Sequence, residues 1–275
     1  MSQPSYRARR LARRLRGDPF LDVQAFCLFV GYSRSGHSLV GALLDAHPEI
    51  TIANEANALK LVVEQDLSRR ALFEALVENA RRQAEHPRGR RGGGGYSYVV
   101  PGQWQGRARR LRVIGDNNGG RTRGRLARDP EELTRLERLV QAPLRILHVT
   151  RNPYDVIARR VLISKEELTL PRATENFAVS ARTIDDTVIE KGDRLVLTIR
   201  HESLVESPKT ELTRACRFLG VDTDDAYLDA CASIIFSSPQ TARTRIEWTQ
   251  AERDAVQAVI DRHAFLAGYS WTSCS

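Results

Sequence analysis

Short apolar runs alternate with longer segments of helical periodicity along most of the chain. Five runs predict strands, at 26–31, 50–53, 111–115, 144–150 and 194–199. Apolar residues at helical spacing predict helices at 36–47, 130–140, 173–190, 208–219, 223–235 and 249–265, and two more within 55–85. Strands separated by helices favour a mostly parallel sheet with helices packed against it. The pattern therefore predicts an α/β chain.

Two segments interrupt this pattern. Residues 1–20 form a basic, arginine-rich N-terminal arm, and residues 87–110 form a flexible insertion rich in Gly and Arg that includes Tyr96, Tyr98 and Trp104. The insertion is either a surface loop or a mobile flap over a substrate. No internal repeat or domain boundary is evident, so we expect residues 1–275 to form a single domain.

The composition is that of an ordinary globular protein with an excess of positive charge. The 275 residues are 41% hydrophobic and 28% charged, with a net charge of +8. This balance suits an anionic partner, but no nucleic-acid-binding signature is present, so nucleic acid is not expected as a partner. No apolar run reaches the roughly 18 residues of a membrane span. Without a secretory signal in the arm, the expected location is the cytoplasm.

The segment Gly31–Ser38 has the layout of a phosphate-binding loop. It follows an apolar strand and precedes a helix, and its spacing fits G-x-x-x-x-G-K-[ST] except that His37 stands at the lysine position. Arg34 supplies a cation inside the loop instead. Backbone N–H groups, the helix N-terminus and Arg34 could together hold an anion. The predicted architecture is therefore a P-loop-like three-layer sandwich with a mostly parallel central sheet.

Two further basic positions follow predicted strands or precede a helix. Arg151 ends the strand at 144–150, where ligands gather in a parallel sheet, and Asn152 is suited to cap the next helix. An arginine at that point can bind a phosphate with two hydrogen bonds, although for this motif alone a charged rim residue is the favoured explanation. The second position is the basic loop that contains Arg243 and Arg245. Each of these motifs is weak when taken alone.

Taken in order, these motifs resemble those of the sulfotransferases that use 3′-phosphoadenosine 5′-phosphosulfate (PAPS). The segment from Arg34 through Leu39 to Glu49 is similar to the pattern R-S-G-T-[ST]-L…L-D-A-H-P of the bacterial and tyrosylprotein branches. The segment 151–159 resembles the family's 3′-phosphate motif. The segment 200–208, with 218–220, resembles its Y-E-D-L…D-P…F-L-G segment. The likeness runs from about residue 26 to 268.

The resemblance implies a role for each matching residue. The donor-binding residues that it implies are Arg34, Ser35, Gly36, His37, Ser38, Leu39, Arg151, Arg159, His201, Arg243 and Arg245. Arg159 replaces a family serine, and His201 replaces a tyrosine near the adenine. His37 replaces a threonine, so it either donates to the same phosphate or packs against the sheet. Arg34 is expected to stabilise charge on the leaving phosphate oxygen.

The resemblance also implies a catalytic base and a departure from the family. Glu55 corresponds to the glutamate that takes the acceptor proton in the tyrosylprotein branch, and a carboxylate suits that work; alternatively, it complements a helix dipole. Related enzymes carry a lysine in D-K-x-P, whereas this chain has Asn117 and Asn118 within 116–120, a predicted turn. Arg34 and His37 could suffice, or Arg121 or Arg123 could substitute, or turnover is weakened.

We therefore predict an enzyme that moves a sulfuryl group from PAPS to a hydroxyl or amine acceptor and releases 3′,5′-adenosine bisphosphate. The acceptor could be a small molecule, a carbohydrate or a peptide, and no metal is needed. Two alternatives stay open. One is a P-loop kinase or nucleotidase that uses ATP–Mg, with Ser38 and Asp116 holding the metal. The other is a non-catalytic polyanion binder on the same fold. The sequence leaves the acceptor and the oligomeric state open.

Overall fold

A five-stranded parallel sheet forms the centre of the protein. A computed structural model describes residues 18–86, 98–164, 167–192, 194–237 and 240–273. The strands are β1 (Ala25–Gly31), β2 (Ile50–Asn54), β3 (Val113–Asn117), β4 (Leu144–Thr150) and β5 (Val196–Arg200). Their spatial order is β2-β3-β1-β4-β5, and every neighbouring pair is parallel. The mostly parallel sheet expected from the sequence is confirmed.

The helices pack on both faces of this sheet. In chain order they are α1 (His37–Asp45), α2 (Ala58–Glu64), α3 (Arg69–Glu85), α4 (Gly119–Leu126), α5 (Glu131–Val140), α6 (Pro153–Ile163), α7 (Leu170–Thr187), α8 (His201–Glu206), α9 (Pro208–Leu219), α10 (Asp225–Ser233) and α11 (Gln250–Arg262). Short 3₁₀ helices lie at Ile189–Lys191, Arg243–Arg245 and Ala264–Leu266. None of the described helices is long and apolar enough to span a membrane.

Alternation along β1 shows why the sheet has two covered faces. Successive strand side chains point to opposite faces. Phe26 and Leu28 join a core cluster with residues of α3, α5, α6, α7 and α11, whereas Cys27 and Phe29 join a second cluster with α1, α9 and α10. All seven residues of β1 are buried. The protein is therefore a three-layer α/β sandwich, as the sequence predicted.

The order of the strands places the candidate loops side by side at the carboxyl ends of the parallel strands. Strand β1 lies between β3 and β4, so the connections on its two sides diverge there. Ligands of such sheets bind beyond the carboxyl ends of the strands at this point. Asn54 of β2 and Asn117 of β3 lie side by side in register. The ends of β1, β2, β3 and β4 therefore bring together the segments that the sequence singled out.

The turn predicted at 116–120 is wrong. Asp116 and Asn117 belong to β3, and α4 begins at Gly119. Gly119 lies so close to β1 that a Cβ atom there would sit 3.3 Å from the backbone nitrogen of Gly31. Three glycines and three arginines hide the apolar period of α4 in the sequence. The residues 1–17 of the predicted arm and 87–97 of the predicted insertion lie outside the described residues.

Candidate functional site

The loop between β1 and α1 is shaped to present backbone N–H groups. Arg34 and Gly36 have positive φ angles of 78° and 100°, and Gly36 caps α1 without a side-chain hydrogen bond to the helix. Ser35 is buried and donates from its hydroxyl to the carbonyl of Tyr32 over 2.9 Å. The first N–H groups of a helix lack intrahelical partners. Together with the exposed Arg34, they make this loop suitable for an anion.

The other loop residues divide between the site and the core. Ser38, the last residue of the loop, is half-buried in the first turn of α1. Leu39 is buried in the core cluster between α1 and the sheet. Its backbone N–H donates to the carbonyl of Gly36 over 3.0 Å, so the donor-binding role of Leu39 stays a prediction.

Four arginines from separate segments converge beside this loop. Arg159 on α6 is exposed, but partial desolvation lowers its pKa, and the positive charges of Arg34, Arg245 and Arg151 lower it further. None of the four forms an ion pair with a carboxylate among the residues that the structure describes. Like charges placed together repel one another, so this arrangement favours a ligand with several negative charges.

Arg151 and Arg243 differ in what already holds them. The Nε of Arg151 is buried without a hydrogen-bond acceptor among the described residues, and its Nη2 donates to the carbonyl of Gln240. Arg243 is 4% exposed, and its Nη1 lies 3.3 Å from Asp155 while its Nη2 donates to the carbonyl of Ser273. The donor-binding role of Arg243 stays a prediction, and its guanidinium is already engaged in holding its loop against α6.

His201 lies against the loop between β1 and α1. A Cβ atom on Gly36 would be only 2.5 Å from its Nδ1, so the loop and the first residue of α8 are in direct contact. Burial, and secondarily the charge of Arg151, lower the pKa of His201 to about 3. The neighbouring Glu202 accepts hydrogen bonds from the backbone of Asn152 and from the hydroxyl of Tyr269. His201 is therefore neutral and firmly placed at neutral pH.

Glu55 lies just beyond β2, in a backbone conformation that its neighbours enforce. Its φ is +58°, and its N–H donates to the carbonyl of Asn117 over 3.0 Å. The buried Asp116 accepts hydrogen bonds from the backbone of Ala56 and Ala58 at 3.0 and 2.8 Å. The side chain of Glu55 is exposed. Asp116 thus shapes the turn that presents the Glu55 carboxylate at the rim of the site.

The same contacts bear on metal binding. Both carboxylate oxygens of Asp116 are already occupied by backbone donors, and burial raises the pKa of this carboxyl to about 6. No group of three or more His, Cys, Asp or Glu side chains within the described ranges could hold a metal ion. Asp116 therefore has a structural explanation that does not involve the magnesium of a kinase. The sequence contained no signal for this role.

His37 and Asn117 form a pair beside Glu55. Nδ1 of His37 lies 2.9 Å from Oδ1 of Asn117, and Nδ2 of Asn117 donates to the backbone carbonyl of His37 over 3.1 Å. Asn117 stands where related enzymes carry the lysine of D-K-x-P. Of the two possible substitutes on α4, Arg121 is exposed, and Arg123 is half-buried near Tyr32 and Arg160. The residue in contact with the loop at this point is therefore Asn117.

A cavity of about 610 Å³ opens next to the loop at the β2 edge of the sheet. Its lining comes from α1, from β2 and β3, from the C-terminal turns of α3 and from the segment 98–107. Ser38, Asn54 and Asn117 line the end nearest the loop. Burial raises the pKa of Tyr98 on the opposite wall, and the nearby Arg34 opposes that rise. The cavity and the loop between β1 and α1 are therefore neighbours.

Hydrogen bonds hold the segment 98–107 in place as a wall of this cavity. The buried Asp45 of α1 accepts hydrogen bonds from the backbone of Gly106 and Ile52 at 2.9 and 2.8 Å. Gln105 bonds to the backbone of Tyr98 and Val100. This part of the insertion therefore borders a substrate-sized space. Asp45 was missed by sequence reasoning, and its only signal is an acidic residue on the apolar face of α1.

Comparison with known proteins agrees with this geometry. A model of the "Sulfotransferase family" matches residues 28–225 of the chain. No curated protein sequence matches it. The sulfotransferase domain of the Synechococcus PCC 7002 olefin synthase shares 19% identity and a TM-score of 0.50 over 88% of this chain and 94% of that chain. A sulfotransferase from Alicyclobacillus acidocaldarius shares 18% identity and a TM-score of 0.46 over 86% of this chain and 92% of that chain. The olefin synthase domain shows the shared fold.

Proposed function

The chain belongs to the sulfotransferase family, and we propose that it transfers a sulfuryl group from PAPS to an acceptor hydroxyl. The observation that carries the choice of donor is the convergence of Arg34, Arg151, Arg159 and Arg245 beside a loop that ends at a helix N-terminus. A ligand with phosphate groups at both its 5′ and 3′ positions would offer enough negative charge to satisfy this set of cations. The buried, unpaired Nε of Arg151 offers one donor to such a group.

The residues at the loop would act on the leaving phosphate. Arg34 and the N–H groups of the α1 N-terminus stabilise the charge that develops on the 5′-phosphate oxygen when the bond between sulfur and that oxygen breaks. Arg151, Arg159 and Arg245 hold the other end of the donor, which fixes the sulfuryl group in line with the attacking hydroxyl.

Glu55 would supply the base. Its carboxylate draws the proton off the hydroxyl, directly or through a neighbouring side chain, while the hydroxyl oxygen forms its bond to sulfur. The exposed position of Glu55 at the end of β2, close to His37, supports this role. The turn held by Asp116 keeps the carboxylate at the rim of the site.

The cavity at the β2 edge suits a small-molecule acceptor. A volume of about 610 Å³ lies within the range of sites for drug-sized ligands. Its wall carries Tyr98, Val100 and Pro101 together with the side-chain amides of Asn54 and Gln103. An acceptor with an apolar body and a hydroxyl directed towards Ser38 and Asn117 would use both kinds of surface.

Two measurements test this function. Thermal unfolding should shift upward with 3′,5′-adenosine bisphosphate and not with ATP–Mg; stabilisation by ATP–Mg alone would refute the donor assignment. Incubation with ³⁵S-labelled PAPS and a metabolite extract should label an acceptor. Salt-dependent binding of nucleic acid without any transfer would favour a polyanion binder instead.

Glu55→Gln separates catalysis from binding. We expect transfer to fall at least a hundredfold, because general-base catalysis contributes about that much or more, while the affinity for 3′,5′-adenosine bisphosphate stays within threefold. Glu137→Gln is the matched control, since Glu137 is exposed on α5 outside the site. Retained transfer in Glu55→Gln would refute the assignment of the base.

A further inference from the structure

The pair formed by His37 and Asn117 fixes which ring nitrogen of His37 carries a proton. A backbone carbonyl can only accept, so the Asn117 atom that lies 3.1 Å from the carbonyl of His37 is the NH₂ group. The same group also lies 3.4 Å from Oδ1 of Asn54. The other atom of the amide is therefore the oxygen, and it faces Nδ1 of His37 at 2.9 Å. Nδ1 must be the donor in that hydrogen bond.

Asn117 cannot easily turn to reverse this assignment. Its side chain is buried and packs against α1 so closely that a Cβ atom on Gly41 would lie 2.5 Å from its Nδ2. A rotated amide would set two donors against each other at Nδ1 and two acceptors at the His37 carbonyl. In the neutral ring, Nε2 therefore carries the lone pair and acts as an acceptor.

The surroundings of His37 keep the ring neutral at rest. Burial lowers its pKa, and the positive charge of Arg34 acts in the same direction, while the Asn117 hydrogen bond and the charge of Glu55 oppose them. A position in the first turn of α1 also disfavours a positive charge. A neutral ring with its proton on Nδ1 cannot donate from Nε2 to a phosphate. His37 is thus unsuited, at rest, to replace the lysine that related enzymes carry.

We propose that His37 accepts the proton of the acceptor hydroxyl at Nε2 and that, once protonated, it stabilises the leaving phosphate oxygen. This inference rests on the proposed function. The hydroxyl O–H bond breaks as its oxygen bonds to sulfur, the sulfur–oxygen bond to the 5′-phosphate breaks, and the electron pair stays on the phosphate. The proton on Nε2 gives the loop a cation at the moment when that phosphate gains charge.

Glu55 and Asn117 support this role from two sides. The carboxylate of Glu55 stabilises the imidazolium electrostatically. Glu55 takes the acceptor proton through His37: it accepts the proton from Nε2 after the transfer and then releases it to solvent. Asn117 is a positioning residue, because it holds the Nδ1–H tautomer and turns Nε2 away from itself. In this account the chain needs no lysine in β3, since the cation forms only when transfer requires it.

The first test is independent of activity. ¹⁵N-edited NMR of the histidine rings at pH 7.5, with His37 assigned by its loss in His37→Thr, should show the proton on Nδ1 and a lone pair on Nε2. Saturation with 3′,5′-adenosine bisphosphate should raise the pKa of this ring, because a phosphate group lies beside it. A proton on Nε2, or an unchanged pKa, would overturn the proposal.

The second test uses transfer from PAPS to 2-naphthol as a function of pH. His37→Thr should lower kcat by a factor of about 100 to 10,000 and remove the acidic limb of the profile, with 3′,5′-adenosine bisphosphate affinity within threefold of wild type. Asn117→Asp should move that limb to higher pH, since a carboxylate next to Nδ1 favours the protonated ring. His86→Gln, an exposed histidine outside the site, is the control.

The outcomes separate the two proposals. If the wild-type protein transfers the sulfuryl group but the limb stays in place in both His37→Thr and Asn117→Asp, the role of His37 is refuted and the proposed function stands. If the wild-type protein transfers nothing from PAPS to 2-naphthol or to any component of a metabolite extract, the proposed function fails and the role of His37 fails with it.

Discussion

Arg159→Gln should stabilise the ligand-free protein and yet weaken its binding of the donor product. In the ligand-free protein, Arg159 is exposed and repelled by Arg34, Arg151 and Arg245. Solvent screens exposed charges, so removing one should raise the free energy of unfolding by at most about 1 kcal/mol. For a chain of this size that corresponds to an increase in Tm of roughly 2–4 °C.

With 3′,5′-adenosine bisphosphate bound, the sign should reverse. A hydrogen bond to a charged group contributes about 1.5–3 kcal/mol, so its loss should raise Kd about tenfold to a hundredfold. Ligand stabilisation depends on the logarithm of ligand concentration over Kd, so at saturation the variant loses more than it gained. Its unfolding curve should therefore lie above that of the wild type without ligand and below it with ligand.

Thermal unfolding with and without 3′,5′-adenosine bisphosphate, combined with calorimetric titration, measures both effects. A folding defect would lower the Tm of the variant both with and without ligand. A Tm above that of the wild type without ligand and below it with ligand is therefore specific to a residue that is repelled by its neighbours in the free protein and used in binding. Arg182→Gln is the control, because it removes an exposed arginine from α7. An unchanged Kd in Arg159→Gln would show that Arg159 lies outside the donor site and would refute the reasoning from charge repulsion.

Three further outcomes follow from buried groups. Arg243→Ala should cost about 3–5 kcal/mol in urea unfolding, because it leaves the buried Asp155 without its cation. Removing the exposed Arg245 in Arg245→Ala should instead raise stability by at most about 1 kcal/mol and weaken 3′,5′-adenosine bisphosphate binding; equal stability losses would contradict this division. Burial lowers the pKa of His148 to about 3, so below about pH 6.5 the ring binds a proton in the unfolded chain but not in the folded protein. The stability of wild type relative to His148→Gln should therefore fall by about 1.4 kcal/mol per pH unit down to about pH 3. A difference in stability that does not change with pH would refute this prediction. Gly106→Ala should raise the KM for the acceptor and spare 3′,5′-adenosine bisphosphate affinity, because a Cβ atom at this φ of +71° would lie 2.6 Å from Cβ of Ala84; an unaltered KM would place the acceptor elsewhere.

Buried carboxyl groups such as Asp45 and Asp116 oppose the acid effect of the buried histidines. Burial raises the pKa of Asp45 to about 7 and that of Asp116 to about 6. A carboxyl group whose pKa is raised on folding takes up its proton first in the folded state, so its contribution to stability increases as pH falls from its folded pKa towards 3.8. The contributions of His148 and His201 to the free energy of unfolding decrease as pH falls through much of the same range. The comparison of variants is therefore more informative than the pH dependence of the wild type alone.

The sequence by itself determined the sheet and the loop. Alternating apolar strands and periodic helices are local patterns, and they correctly predicted the sandwich and the strand–loop–helix layout after β1. Anion binding by that loop stays a prediction. They failed at α4, because a helix that packs through Gly119 against Gly31 needs small residues and carries little apolar period. The motif order also indicated the family, since Arg34, Arg151 and Glu55 stand at separate strand ends.

Only the tertiary structure decided what each side chain does there. Arg243 and Arg245 are two residues apart, yet one is buried against Asp155 and the other is exposed near Arg159. Asp116 and His37 each take their character from partners about 60 and 80 residues away, which no local pattern contains. The reason is that hydrogen-bond partners, burial and charge neighbours are set by how distant segments meet, whereas periodicity records only how each segment meets its own layer.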